Sequence, residues 1–437
     1  MKIDINNIGK ISSASLDIDG ITVVVGENGT GKSTIGKALY SAFNGLSNLP
    51  QKVDFDRNVS INNIIKNGLN QNYDFFFHRS YPQIDEVVND IISSYREDQF
   101  SEKFFIGKIK SLIADLEKYE GNTEIFDIQN QDIVIENNLI FEMYTKIKKV
   151  LGIPTKDIQE KLLYKEFSNE FGQQIINLSD DTQNSYVELL IKGKKHHFFI
   201  SNDGVDIEST FTGLQHKSVY IDNPFVLEEG FNARRPIFRN NRVSHQTTLH
   251  NLLMNEGDLL VTETILLDEK LKEIAKIFEQ VNVGELVKSK QNSLESFGYR
   301  EGNVDFSLKN VSLGLKTFII LKTLIERGHI SERGLIILDE PEIHLHPEWQ
   351  ILFAELIVLL QKQFNLHILL TTHSPYFLEA IEVYSKIHNV YENCNFYLSE
   401  EIDKRITVRN INGNLAKVYD KFFLPFQKLE DLGNEFE

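Results

Sequence analysis

Apolar residues along this chain fall into short β-branched blocks and longer stretches with helical spacing, and the two kinds alternate near both ends. Residues 21–25 (ITVVV), 334–338 (GLIIL) and 366–370 (LHILL) predict buried strands, because short apolar runs bounded by turn residues suit strands covered on both faces. After the first block, Ile35, Ala38, Leu39, Ala42 and Phe43 recur at helical spacing, and Asn44-Gly45 supplies a stop. Before the second, Leu315, Phe318, Ile319, Leu321, Leu324 and Ile325 do the same, with Ser312 as N-cap and an end near Gly328. Between the second and third, Trp349, Phe353, Leu356, Ile357, Leu360 and Phe364 mark another helix.

The middle of the chain says less. Residues 85–178 are mostly helical in pattern, broken at 120–122 and at Gly152-Ile153-Pro154, without the sustained heptad seam of a coiled coil. Residues 186–209 alternate and turn at Lys192-Gly193 and Asn202-Asp203-Gly204, an antiparallel meander. Residues 217–222 (KSVYID) predict a further strand, and residues 262–297 a return to helix.

The first strand block runs into Gly26-Glu27-Asn28-Gly29-Thr30-Gly31-Lys32-Ser33-Thr34, which meets the phosphate-loop pattern GxxxxGK[ST] at every fixed position. The glycines let the backbone turn its N–H groups toward a phosphate at a helix N-terminus. Lys32 is placed to reach β- and γ-phosphate oxygens, and the Ser33 hydroxyl to ligate Mg²⁺. We count residues 26–34 as the nucleotide-binding set. The second block ends in Asp339-Glu340, with Asp339 expected to hold the metal and Glu340 to orient and polarise the attacking water. The third ends in TTHSP (371–375), which puts His373 at the carboxyl edge of a parallel sheet, where ligands bind. There it would contact a γ-phosphate. Ser312 opens its helix within NVSLGLK (310–316), offering further donors to a phosphate.

Composition narrows the class. A chain of 437 residues, 41% hydrophobic and 11% aromatic, can bury a substantial core. Its one cysteine, Cys394, cannot form an internal disulfide or a CxxC metal site, which points to a reducing, cytoplasmic home. The sequence shows neither a signal-peptide pattern nor an uninterrupted apolar stretch of membrane-spanning length. The net charge of −17 argues against a general nucleic-acid coat. It leaves two basic clusters as local candidates, Lys192 to His197 and Arg234-Arg235 with Arg239 and Arg242, although a charged hairpin tip and a solvated loop are the favoured reading of them.

Together GENGTGKS, NVSLGLK, LIILDEPEIHLHP and TTHSP resemble the ABC-type ATPases of the OLD and SMC-like branch, and in particular the stand-alone ATPase subunits of bacterial phage-defence systems such as Septu and PARIS. The resemblance rests on residues 1–45 and 305–380. It implies an α/β P-loop ABC-type ATPase head with an antiparallel β subdomain and helical insertions. The implied divisions are an N-terminal lobe at 1–84, a helical insertion at 85–180, the β subdomain and return strand at 181–225, a helical lobe at 226–330 and a C-terminal lobe at 331–437. It further implies ATP and Mg²⁺ as ligands, with Lys32, Glu340 and His373 catalytic. Ser312 and Gly314 would be the signature, contacting the ATP held by a second copy, so that the complete site is a homodimer; assemblies beyond a dimer stay open. The signature lacks a second consecutive glycine, which disfavours a transporter. The lobe-coupling glutamine has no clear counterpart: Asp222 and Asn223 stand in one place for it, Gln83 in another. Residues after His373 lack the acidic clusters of the Toprim nuclease domain found in OLD nucleases, and Glu400-Glu401, Asp403 and Glu430-Asp431 predict a solvated loop and a tail.

Three functions follow. The first is an ATP-driven switch controlling a separate nuclease or toxin in phage defence. The second is a DNA repair or recombination ATPase using the Arg234 to Arg242 region. The third is a nucleotide-gated scaffold with negligible turnover.

Overall fold

The computed structural model describes residues 1–73, 82–119, 137–172, 174–177, 184–216, 218–228, 244–257, 261–291 and 294–434. They divide into two compact units, one of Met1–Ser47, Glu160–Ser209 and Leu214–Glu437, the other of Asn48–Gln159 with Thr210–Gly213.

The first unit is built on strands β1 (Lys2–Ile8), β2 (Ile11–Asp17), β3 (Ile21–Gly26), β4 (Tyr186–Ile191), β5 (Lys194–Ile200), β6 (Val205–Ile207), β7 (Ser218–Ile221), β8 (Glu285–Gln291), β9 (Leu294–Glu301), β10 (Val304–Ser307), β11 (Leu335–Asp339), β12 (His367–Thr372), β13 (Cys394–Ile402) and β14 (Arg405–Asn410). Eleven of them form one sheet in the order β6-β5-β4-β1-β2-β14-β13-β3-β12-β11-β7. From β13 through β3, β12 and β11 to β7 the strands are parallel, with Val25 opposite Thr372 and Asp339 opposite Thr371. The meander of β4, β5 and β6 joins the same sheet through an antiparallel pairing of β4 with β1. The parallel strands are buried along most of their length, as their continuous apolar sequence requires.

Helices α1 (Lys32–Leu46), α2 (Leu49–Tyr73), α3 (Pro82–Arg96), α4 (Glu102–Tyr119), α5 (Asn137–Leu151), α6 (Thr155–Phe171), α7 (His245–Met254), α8 (Val261–Val281), α9 (Leu313–Glu326), α10 (Pro347–Phe364), α11 (Pro375–Ile387) and α12 (Ala416–Asn434) complete the fold. Gly36 brings α1 close to the sheet: a Cβ there would lie 3.1 Å from the Tyr220 hydroxyl and 3.2 Å from Ile337. Phe318, Phe353 and Phe377, from α9, α10 and α11, meet in the core of this unit.

The second unit has its own core, in which Ile61, Ile65 and Leu69 of α2 meet Ile84 and Ile91 of α3, Phe105 and Ile109 of α4 and Met143 and Ile147 of α5. Gly68 admits Met143, whose sulfur would lie 2.3 Å from a Cβ at that position. Among the described residues no helix is long and apolar enough to cross a membrane.

Two expectations need correction. Residues 262–297 are not all helix: α8 ends at Val281, Asn282 takes a left-handed φ of 56°, and the chain turns into the antiparallel sheet of β8, β9 and β10. Gly284 permits the turn, because a Cβ there would overlap the Arg300 carbonyl at 2.0 Å. Of the acidic residues near the end of the chain, Asp403 is in an exposed turn between β13 and β14 as expected, but the others are on regular elements. Glu400 and Glu401 lie on β13, where Glu400 is ion-paired with Arg409 and Lys421, and Glu430-Asp431 lie on α12.

Candidate active site

The site gathers where the parallel strands β3, β12 and β11 end side by side. The phosphate loop crosses from Gly26, the last residue of β3, to Lys32, the first of α1. Gly29 and Gly31 take φ of 82° and 84°, the left-handed region open to glycine at little cost. A Cβ on Gly26 would strike the Ser399 carbonyl at 2.4 Å, and one on Gly31 would strike Ile11 at 2.5 Å. The loop is braced from within by the Thr30 hydroxyl, which donates to the Glu27 carbonyl at 2.8 Å, and from β13 by Ser399, which donates to the Thr30 carbonyl at 2.6 Å. Glu27, Asn28 and Gly29 form its exposed tip, and Ser33 is exposed on the first turn of α1, with Thr34 half-buried beside it.

Lys32 is buried. Its ammonium donates to the carbonyls of Gly26 at 2.9 Å and Glu27 at 3.0 Å and ion-pairs with Glu340 at 3.1 Å. Glu340 in turn lies 3.5 Å from Nδ1 of His373. Three residues picked from separate motifs thus form one cluster, Lys32–Glu340–His373. The contact with His373, aided by Lys32 against the opposing effect of partial burial, holds the Glu340 carboxyl down at about 2. The same contact raises the His373 imidazole. Glu340 is itself in left-handed backbone, φ 50°, with its N–H donating to the Thr371 carbonyl and hydroxyl oxygens at 3.1 Å each.

Asp339 has a different set of partners. The Thr371 hydroxyl donates to Oδ1 at 2.5 Å and the Tyr220 hydroxyl to Oδ2 at 3.1 Å, which fixes the plane of the carboxylate. Two carboxylate oxygens, the nearby Ser33 turn, the Lys32 ammonium and a glycine-rich loop leading to a helix N-terminus make a donor set suited to a magnesium–triphosphate, since Mg²⁺ typically takes one or two protein oxygens and completes its shell with phosphate and water.

Glu342, in the same DEPE run, is buried, accepting from the Thr372 hydroxyl at 2.5 Å and from the His373 N–H at 3.3 Å. Burial raises its pKa. It therefore anchors the backbone that carries His373. Ser374 caps α11 by accepting from the Phe377 N–H and donates to Gln350 of α10 at 2.9 Å, so the TTHSP run is held on both sides.

Ser312 caps α9, accepting from the Leu315 N–H at 3.3 Å, and is exposed. It stands outside the Lys32–Glu340–His373 cluster. Gly314 packs on the turn after Asp339-Glu340, where a Cβ would meet the His344 carbonyl at 2.8 Å. A cavity of ≈350 Å³ opens beside the carboxylates, lined by Asp222, Asn223, Phe225, Thr317, Asp339 and Glu340 among others. Of the lobe-coupling candidates, Asp222 and Asn223 therefore adjoin the carboxylates, whereas Gln83 belongs to the second unit. At the β4–β5 hairpin, Lys195 and His197 are paired with Glu188 at 3.0 and 3.2 Å, which reduces its basic character. Arg234, Arg235, Arg239 and Arg242 lie outside the described residues.

The structure adds Tyr220, Thr371 and Glu342 to the residues that the sequence singles out. Thr371 and Glu342 sit inside marked motifs, so their position was a usable signal. Tyr220 has no motif around it and enters only through the pairing of β7 with β11.

A family model described as "AAA ATPase domain" matches residues 1–378. Among curated proteins the chain is 22% identical to "Endonuclease GajA" of Bacillus cereus, over 92% of this chain and 57% of that one. It is 25% identical to "Retron Ec83 probable ATPase" of Escherichia coli, over 83% of this chain and 65% of that one. It is 23% identical to "Septu protein PtuA" of Bacillus mycoides, over 65% of this chain and 41% of that one. The chain thus spans roughly two fifths to two thirds of the length of these relatives.

Proposed function

We propose that this chain, which belongs to the AAA ATPase domain family, closes as a dimer around Mg-ATP and uses the closed state to switch a separate effector, a nuclease or toxin, in bacterial phage defence. The observation that carries the reading is the Lys32–Glu340–His373 cluster at the ends of adjoining parallel strands. It joins a phosphate-binding cation, an anionic carboxylate and a polar contact for the γ-phosphate in one place.

In this reading Lys32 and the N–H groups of residues 26–34 bind the β- and γ-phosphates, while Ser33 and Asp339 hold Mg²⁺. Bound Mg²⁺ neutralises charge on the phosphate oxygens. The contacts with His373 and Lys32 keep Glu340 ionised across the neutral range before nucleotide binds. Its part is to orient and polarise the attacking water by accepting its hydrogen bond. His373 donates to the γ-phosphate.

The exposed position of Ser312 at the N-terminus of α9, outside its own chain's cluster, supports a role toward the ATP of a second copy, with Gly314 letting the backbone approach. Binding of ATP would then favour the closed dimer by the difference in its affinity for the two states, and hydrolysis would release it. The similarity to a Septu protein and to a retron ATPase supports the defence setting and a separate effector.

Affinity purification of tagged Glu340→Gln protein expressed from its native locus, with Mg-ATP present, followed by mass spectrometry, tests the reading. A nuclease or toxin-like companion recovered in stoichiometric amount is expected. Recovery of the chain with DNA alone would replace the switch by the repair ATPase.

A further inference from the structure

Away from the phosphate loop, the first unit buries a second cluster of charge that the proposed chemistry does not use. His245, the first residue of α7, is buried between two carboxylates. Its Nδ1 lies 2.5 Å from Glu170 of α6, whose other oxygen accepts from the His245 N–H at 2.7 Å. Its Nε2 lies 2.9 Å from Asp222, which follows β7. Gln246 also donates to Asp222, at 3.2 Å. Aromatic rings line the imidazole: Tyr220 stacks on it at 4.3 Å with an interplanar angle of 24°, and Tyr40 of α1 meets it edge-on at 6.0 Å. Burial by itself lowers the imidazole, but contact with Asp222 and Glu170 outweighs it and raises the group to about 9, so the ring is a cation at neutral pH.

The connection to the site is Tyr220. Its ring is held by the stacked imidazolium, and its hydroxyl is the donor to Asp339 Oδ2. Asp222, the other end of the clamp, lines the same cavity as Asp339 and Glu340. A buried cation between two carboxylates has one well-defined position, and a ring stacked on it inherits that position. Partners outside the coordination shell orient a metal-binding carboxylate in the same way throughout metalloproteins.

We propose that His245 is a positioning residue, which through Tyr220 fixes the orientation of the Asp339 carboxylate for Mg²⁺. This rests on the reading of Asp339 as a metal ligand. The test compares His245→Gln, Tyr220→Phe, the double variant and Asp339→Asn in the full chain. The affinity for a fluorescent ADP analogue is measured with and without Mg²⁺, so the readout does not depend on turnover. Tyr220→Phe removes a single hydroxyl from a buried ring and keeps its packing, which guards against a result due to misfolding.

The expected result is that the gain in affinity from Mg²⁺ falls about tenfold in each single variant, that metal-free affinity stays within about twofold, and that the double variant is no worse than the singles. The inference is overturned if the gain is unchanged, if metal-free affinity falls equally, or if the two losses multiply. If Asp339→Asn loses the gain while His245→Gln and Tyr220→Phe retain it, the positioning role alone fails. If Asp339→Asn also retains the full gain, the metal assignment fails and the positioning role with it.

Discussion

Glu340 sits in left-handed backbone, a conformation that costs a non-glycine residue about 1–3 kcal/mol and persists only where surroundings over-determine it. Here they do: its N–H is bound by Thr371, and its carboxylate is held between Lys32 and His373. Replacing that carboxylate by an amide keeps the shape and removes the charge. Glu340→Gln is therefore expected to bind ATP while its turnover falls about 10²-fold or more, read from phosphate release alongside titration with a fluorescent ATP analogue. A parallel loss of binding would show that Glu340 serves the loop more than the water. His245 allows a test by pH. Its folded pKa, about 9, lies above the ordinary imidazole value of 6.5. The stabilisation is fully present below the unfolded value and is lost as pH rises through the folded one. It amounts to something on the order of 3 kcal/mol. Denaturant unfolding of the natural chain should thus lose stability relative to His245→Gln between about pH 6.5 and pH 9, whereas parallel curves would deny the ion cluster any such part.

At the level of elements, what the sequence disclosed depended on periodicity. The strand at 21–25, helix α1 and the helices after Ser312 and His346 each repeat one spacing long enough to identify themselves, and all are present. The region after Val281 escaped because β8 and β9 carry charged and polar residues at many positions, and their partners are each other, so no apolar run announces them. The Lys32–Glu340–His373 cluster was legible because each member ends or follows a strand inside a dense motif. Tyr220 was not, because only strand order brings it beside Asp339, and His245 was not, because it reaches Tyr220 only through the packing of α7 on β7. Lys316, the last residue of NVSLGLK, is buried on α9 and paired at 2.5 Å with Glu228, a partner 88 positions away that no spacing in the sequence points to. Removing one partner of such a pair strands the other's charge. Glu228→Ala should cost about 3 kcal/mol, measured as a shift of the urea midpoint at constant slope; a loss below about 0.5 kcal/mol would mean that the pair is no stronger than a surface one.

On the scale of the whole molecule, the two compact units carry separate cores, and the candidate nucleotide site lies in the first. Family membership accounts for the motif set, and the acidic balance of −17 is compatible with a chain whose partners are proteins. Ser312 offers a way to separate binding from assembly, because it is exposed and outside its own chain's cluster. Ser312→Arg should bind ATP as the natural chain does and fail to self-associate. The central claim is that ATP draws two copies together, and the most direct measurement is the mass in solution of Glu340→Gln by size exclusion with light scattering, with and without Mg-ATP. The account predicts a monomer that becomes a dimer on adding Mg-ATP and stays a monomer when Ser312→Arg is added. A mass that Mg-ATP does not change, at saturating nucleotide, would contradict it.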